Sequence, residues 1–277
     1  MQKKLLRTLC TIFMLVGLLS FPTAAQAAQK SNIGLKSNKT YTQYDITGDG
    51  KADTIRVNFK SEKYFNIQIN GKTAYKLNAS EICKINVNLY TLKGNKHFLK
   101  LKCQHPDNDH IYYDKLLSYR AGKLTPVVNL MSHRKGVTNL RHDSFTKKVG
   151  SDYIQIRMRS MPYGVGAIQY TVTYKLSGSS LKLSGSTFPV TYNNELNSVW
   201  HAKNYWVTLK ELSILNKPGG KLIDTAKRYE VCTVDKIKYY DGNVYIYITV
   251  KARGVSGWIK CPNGDITNRF FEQTYFC

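Results

Sequence analysis

Acidic side chains are scarce in this chain: 18 Asp and Glu stand against 41 Lys and Arg, a formal charge of +23 over 277 residues. That balance excludes an acidic, self-solvating disordered polypeptide and points away from polycations as partners. Methionine (5) and proline (7) are sparse, and glycine, at 19, falls far short of a collagen-like repeat. No stretch of about ten residues keeps a helical period, which argues against a helical bundle. Past the N-terminal segment no apolar run approaches the roughly 20 residues of a membrane-spanning helix, so a polytopic membrane protein is excluded. No nucleophile elbow, HExxH helix, P-loop, paired helical acids or Cys-His hydrolase signature occurs. The histidines number 6 and are scattered. The chain is therefore read as non-catalytic.

What is present begins with an address. Lys3, Lys4 and Arg7 precede a mostly apolar run from Leu9 to Phe21, and Ala25-Gln26-Ala27 then supplies a small-x-small cleavage site. This is the pattern of a secretory signal peptide over 1–27, and the run is too short to cross the ~30 Å hydrocarbon layer as an anchor. Cys10 stands too early in the run to be a lipidated cysteine. The expected location is extracellular, secreted or associated with the cell envelope. Cleavage removes only basic charge, and most of the remaining excess lies before residue 196. An exported cation of this kind favours polyanions such as teichoic acids, anionic headgroups or acidic glycans. Nucleic acid as a dedicated partner is disfavoured by export and by the lack of any nucleic-acid-binding signature. The plainer alternative is that outward lysines merely protect strand edges from aggregation.

Five cysteines follow the leader: Cys83, Cys103, Cys232, Cys261 and Cys277. Cys83 and Cys103 end two alternating runs folded about Gly94-Asn95, which places both sulfurs on one buried face and allows a bridge. Cys232 and Cys261 pair equally well on paper, with Cys277 left over or displacing one of them. Buried free thiols are the alternative, and connectivity is not readable from spacing. None has the CxxC spacing of zinc or redox chemistry.

The dominant period is two. Ile55, Val57 and Phe59 alternate with polar residues, as do Phe65, Ile67 and Ile69, then Ile154, Ile156 and Met158, then Tyr170, Val172 and Tyr174. Between such runs stand turn pairs: Asn70-Gly71, Gly94-Asn95, Ala121-Gly122 and Ser177-Gly178. The fold class expected is all-β, with an antiparallel meander, propeller-like or sandwich domain over 28–195. A small SH3-like barrel over 196–265 and a tail over 266–277 complete the organisation. Alternation fails near 131–150, where a loop or hinge is expected. Two His and two Asp within His105–His110 suit a polar loop better than a metal site.

Asp45, Thr47, Asp49 and Asp53 place side-chain oxygens at positions 1, 3, 5 and 9 of a loop, with Gly50 turning the backbone and the Lys51 carbonyl at position 7. That spacing suits a hard cation. The segment resembles the calcium loop of extracellular FG-GAP or VCBS-type β repeats, and the resemblance implies a structural Ca²⁺ held by Asp45, Thr47, Asp49, Lys51 and Asp53. It departs from an EF-hand in having Arg56 at position 12. A metal-free knot of Asx turns is the alternative.

Residues 206–262 contain five short apolar runs, a Pro218-Gly219 turn, an Asp241-Gly242 turn and the closing Gly254-Val255-Ser256-Gly257-Trp258-Ile259-Lys260. The module resembles the bacterial SH3 (SH3b) family, which implies a small barrel that binds wall peptide or glycan or acts as a spacer. It departs from that family at Lys227–Glu230, where a glycine is usual, and at Tyr245, where tryptophan is common. Tyr239, Tyr240, Tyr245, Tyr247 and Trp258 either line a ligand groove or close the core. The leading expectation is a secreted binding protein of the bacterial cell envelope, taking wall peptide, glycan or an anionic polymer. A wall hydrolase with an unrecognised site and a structural spacer remain the other readings.

Overall fold

The computed structural model describes residues 31–60, 64–77, 84–105, 111–131, 143–191, 204–262 and 267–272. The leader, Cys83, Cys277, residues 106–110, residues 132–142 and the expected boundary at 195 lie outside the described residues. Among those described there is no helix, and the fold is all-β with antiparallel pairing throughout, as the alternation implied. No helix is long and apolar enough to cross a membrane.

The chain opens with β1 (Asn32–Gly34), β2 (Thr40–Tyr44), β3 (Asp53–Lys60), β4 (Tyr64–Ile69) and β5 (Lys72–Leu77). It continues through β6 (Lys84–Leu92), β7 (Lys96–Gln104), β8 (Ile111–Arg120) and β9 (Lys123–Asn129). Then come β10 (Asp143–Val149), β11 (Tyr153–Ser160), β12 (Ile168–Ser177), β13 (Ser180–Ser184) and β14 (Thr187–Thr191). The last are β15 (Trp206–Val207), β16 (Leu212–Leu215), β17 (Leu222–Ala226), β18 (Val231–Tyr240), β19 (Asn243–Val250) and β20 (Val255–Lys260). The expected turn pairs make the tight hairpins: Asn70 and Gly71 join β4 to β5 with φ of 50° and 75°, and Asp241 and Gly242 join β18 to β19 with 48° and 67°. Positive φ at both central residues matches the right-handed twist of the flanking strands, which is why Asn-Gly and Asp-Gly occupy these sites.

Three sheets form three layers. A sheet in the order β2-β3-β4-β5 packs on one face of the sheet β1-β6-β7-β8-β9. Their shared core joins Ile55, Phe65 and Ile67 to Leu89, Leu99, Leu101 and Leu117. The other face of the same sheet offers Tyr90, Phe98 and Leu116 to a second core, built with Ile156, Met158, Tyr170, Trp206 and Ile246 of the third sheet. Strand β7 is therefore covered on both sides, and every residue from His97 to Cys103 is buried. Lys100 and Lys102, which alternation assigns to solvent, are buried too. The Lys100 ammonium lies 3.8 Å from Asp114 Oδ1 and donates to the Ser144 carbonyl at 2.7 Å, so β10 covers the face that the sequence pattern leaves open.

The third sheet runs β10-β11-β12-β14-β18-β19-β20-β16-β17, with β13 on β12 and β15 on β18. Two expectations are corrected here. Residues 143–149, assigned to a loop, form β10, because a bulge between Thr146 and Lys148 breaks the period of two without ending the pairing. The C-terminal module does not close into a barrel. The edge of β18 away from β19 is taken by β14 (Phe188 opposite Ile237) and by β15 (Trp206 opposite Cys232), so the sheet continues into the larger half. Phe270 and Phe271 extend this junction: the Phe270 N–H donates to the Gly164 carbonyl, the Phe270 carbonyl accepts from the Leu209 N–H, and the Phe271 ring lies 5.4 Å from Trp206.

Cys232 and Cys261 are buried free thiols, not a disulfide. Cys232 pairs with Val250 at one end of β19, while the Cys261 N–H donates to the Val244 carbonyl near the other end. Six residues of strand put the two about 20 Å apart, well outside the reach of a bridge.

Candidate functional site

The acidic loop leads into β3 and is a closed network of hydrogen bonds. The Gly48 and Asp49 N–H groups donate to Asp45 Oδ1 at 2.7 and 3.1 Å, and Gly50 N–H donates to Asp45 Oδ2 at 2.8 Å. Asp53, buried at the start of β3, accepts from Thr47 N–H at 2.8 Å and from Asn70 Nδ2 at 2.5 Å. Asp49 Oδ1 accepts from Lys51 N–H at 2.8 Å. The structure thus brings Asp45, Thr47 and Asp53 together and ties them to the β4–β5 turn through Asn70. A carboxylate has lone pairs for both an N–H and a cation, so the donor chemistry suits a hard ion. In this geometry the carboxylates serve backbone and amide N–H groups, and among the described residues no three His, Cys, Asp or Glu side chains converge as a ligand set.

The aromatic set divides. Along β19 the side chains of Val244, Ile246, Ile248 and Val250 enter the core, so Tyr245 and Tyr247 stand on the opposite face. Register then places Trp258 opposite Tyr247, with ring centroids 5.2 Å apart and nearly perpendicular planes. Tyr240 packs edge-on to Tyr245 at 6.4 Å and is half exposed. Lys236 and Lys238 share this face, their ammonium groups 4.9 Å from the Tyr247 ring and 5.9 Å from the Tyr240 ring. Burial raises the Tyr245 hydroxyl above its ordinary value, against the opposing pull of its bond to the Gly219 backbone, so it stays protonated and anchors the Pro218-Gly219 turn.

Tyr239 does not join them. It follows Ile237 onto the core side, and its hydroxyl meets that of Tyr170 at 2.9 Å, with Tyr170 in turn bonded to Ser160 at 3.0 Å. Consecutive strand residues point to opposite faces, so alternation alone separates Tyr239 from Tyr240.

The module's frame is held by Arg253, whose guanidinium reaches Glu230 Oε1 at 2.9 Å and Asp224 Oδ2 at 2.5 Å. The Arg253 hydrogen bond holds the Glu230 carboxyl below its usual range, and at Asp224 a backbone bond from Thr225 does most of the same work. These pairs tie β17 and the start of β18 to the β19–β20 turn. They are solvent-screened and serve position more than stability.

A further arrangement has no counterpart in any sequence motif. On the outward face of β10, β11, β12 and β14, Phe145, Lys147, Arg157, Gln169, Thr171 and Thr191 line a cleft of about 430 Å³. Comparison with known protein families, with curated proteins and with solved structures returns no match.

Proposed function

We propose that this chain is an exported, non-catalytic binding protein of the bacterial cell envelope, with a C-terminal module that is SH3b-like in sequence but open in its sheet and that takes wall peptide, glycan or an anionic polymer. The observation that carries this reading is the outer face of β18–β20, where Tyr240, Tyr247 and Trp258 gather beside Lys236 and Lys238 over a buried Tyr245 that supports them and is itself closed to a ligand. Aromatic rings supply flat apolar area for sugar rings or peptide backbones, and the adjoining ammonium groups supply attraction for acidic groups. With the three basic residues of the leader removed, 38 Lys and Arg against 18 Asp and Glu leave +20, which adds a long-range pull toward a polyanionic wall.

Sedimentation with purified cell walls over a salt series tests it. Binding that persists at high salt in the parent and is lost in Trp258→Ala is the expected result. Binding abolished by salt alone leaves only charge, no binding at low salt removes the reading, and release of soluble wall fragments makes the protein a hydrolase. We also propose that the Asp45–Asp53 loop takes a structural Ca²⁺ that fixes the start of β3. Equal calorimetric heats from the parent and Asp49→Ala on Ca²⁺ titration would remove that ion from the account.

A further inference from the structure

The cleft on β10–β12 and β14 holds polar atoms that the fold itself leaves unserved. Register sets Arg159, Gln169 and Thr191 in one cross-strand row and Phe145, Arg157 and Thr171 in the next. Gln169 is 6% exposed. Its Oε1 and the Thr191 Oγ1 are buried with no hydrogen-bond partner among the described residues, and both residues line the cleft. In the same row the Nε of Arg159 is a buried donor in the same condition. Buried polar atoms in folded chains are nearly always satisfied, so orphans of both kinds along one row mark a place where a further molecule completes them. The terminal torsion of a glutamine is soft, so its oxygen turns toward such a molecule at little cost. The cavity volume falls in the range of small-molecule sites.

We propose that this cleft binds an uncharged carbohydrate, a ring whose neighbouring hydroxyl groups complete the row. Gln169 Oε1 only accepts, so the ligand has to donate to it, and a fully ionised phosphate or carboxylate has no proton to give. Thr191 Oγ1 donates and accepts, whereas Arg159 Nε only donates. A sugar hydroxyl supplies one proton and two lone pairs, so two of them on adjacent carbons serve a donor and an acceptor side by side. The two cations in the wall already have engagements within the protein: Lys147 lies 3.5 Å from Thr171 Oγ1, and the Arg157 guanidinium lies 5.2 Å from the Phe145 ring centroid. Their N–H groups add donors for sugar oxygens without setting the charge of the ligand.

The spread of polar groups separates a sugar from a nucleobase. A base carries its polar atoms on its edges and is held by stacking on aromatic rings. The described lining of this cleft has one ring, Phe145, and polar side chains from all four strands: Lys147 on β10, Arg157 on β11, Gln169 and Thr171 on β12, and Thr191 on β14. Hydroxyls around the whole rim of a pyranose match polar groups on every side. Phe145, 43% exposed, offers flat apolar area to the C–H face of the same ring. This site shares no residue with the aromatic face of β18–β20, and its test does not depend on wall binding.

The test is a calorimetric titration of the full chain with cellobiose, maltose, lactose and N,N′-diacetylchitobiose, beside inorganic phosphate, glucose 6-phosphate and uridine, with thermal melts alongside. Saturable binding of at least one disaccharide is expected, with an affinity that changes less than about twofold between low and high salt, since no charge is neutralised. Gln169→Leu and Thr191→Val nearly keep the side-chain shapes and remove the unpartnered oxygens. Each should weaken the best disaccharide about tenfold, and neither should lower the melting temperature of the free protein, because the atom removed has no partner to lose. Lys72→Gln on the distant sheet and Trp258→Ala on the aromatic face should leave the affinity unchanged. The proposal is overturned by no saturable disaccharide binding to folded parent protein, by binding that salt abolishes, or by tighter binding of phosphate, glucose 6-phosphate or uridine. Parent-like affinity in both Gln169→Leu and Thr191→Val overturns it as well, as does Trp258→Ala removing the binding.

Discussion

Among the described glycines of the C-terminal module Gly257 comes nearest to another strand's backbone, and replacing it with alanine is the sharpest test of how that module is built. A Cβ at this position would sit 2.5 Å from Ile214 Cγ2 and 2.6 Å from the Leu215 carbonyl oxygen. The first contact is with a side chain that can turn. The second is with backbone in β16, whose Leu215 is paired with Trp258, so relief requires moving a strand. Overpacking of this kind costs about 1–3 kcal/mol, and the rigid oxygen puts Gly257→Ala at the upper end, about 3 kcal/mol. Gly254 in the same motif gives the control. Its φ is +65°, but nothing lies within 4 Å of an added Cβ, so Gly254→Ala suffers only the left-handed backbone term of roughly 1–2 kcal/mol. In urea, with an m-value of about 3 kcal/mol/M, the two changes move the midpoint by about 1 M and about 0.5 M. The proposed wall binding should be lost in Gly257→Ala as well, because moving β16 breaks its pairing with Trp258. Equal midpoints for the two variants would refute the close-packing argument and reduce the second glycine to a turn preference.

Three further outcomes are expected. Asp114→Ala leaves Lys100 and Lys102 buried beside a missing carboxylate and should destabilise the protein by about 3–5 kcal/mol in urea; a change below about 1 kcal/mol would mean that other acceptors hold both ammonium groups. Burial holds His97 below its ordinary value of 6.5, against the opposing pull of Asp45 and Asp53. The unfolded chain then takes up its proton first, so stability should be full above pH 6.5 and fall as pH drops below it, and His97→Phe should flatten that part of a stability-versus-pH curve. Burial pushes the Cys232 thiol up to about 12, and Cys261 is pushed up as well. Native-state maleimide labelling followed by peptide mass spectrometry should leave both unmodified, and labelling at either within the dead time would contradict its burial.

Much of the fold was legible because burial on one face writes itself as alternation. Ile55-Val57, Phe65-Ile67-Ile69 and Ile154-Ile156-Met158 all became strands with those residues inward. The double burial of β7 was not legible, since Lys100 and Lys102 occupy positions that read as solvent-facing until a third layer covers them. Strand β10 was missed because its bulge shifts the period at Lys147. The barrel expected from the closing motif misjudged the edge of β18, because local sequence does not say which distant strand will pair with an edge. Of the aromatic set, only the grouping of Tyr239 with Tyr240 conflicts with alternation, and that signal was present in the sequence. The cleft of Phe145, Arg157, Gln169 and Thr191 had no signal beyond outward polar residues, since its assembly depends on the register of four strands.

Strand β14 is shared: Gln169 pairs with Thr191 at one end, and Lys236 with Pro189 at the other. The two halves of the protein are thus riveted through a common ladder where a tethered module would swing on a leash. Unfolding of either half strips the other of a hydrogen-bonded neighbour strand, so heat or urea should melt both in one transition where a tethered module would give two.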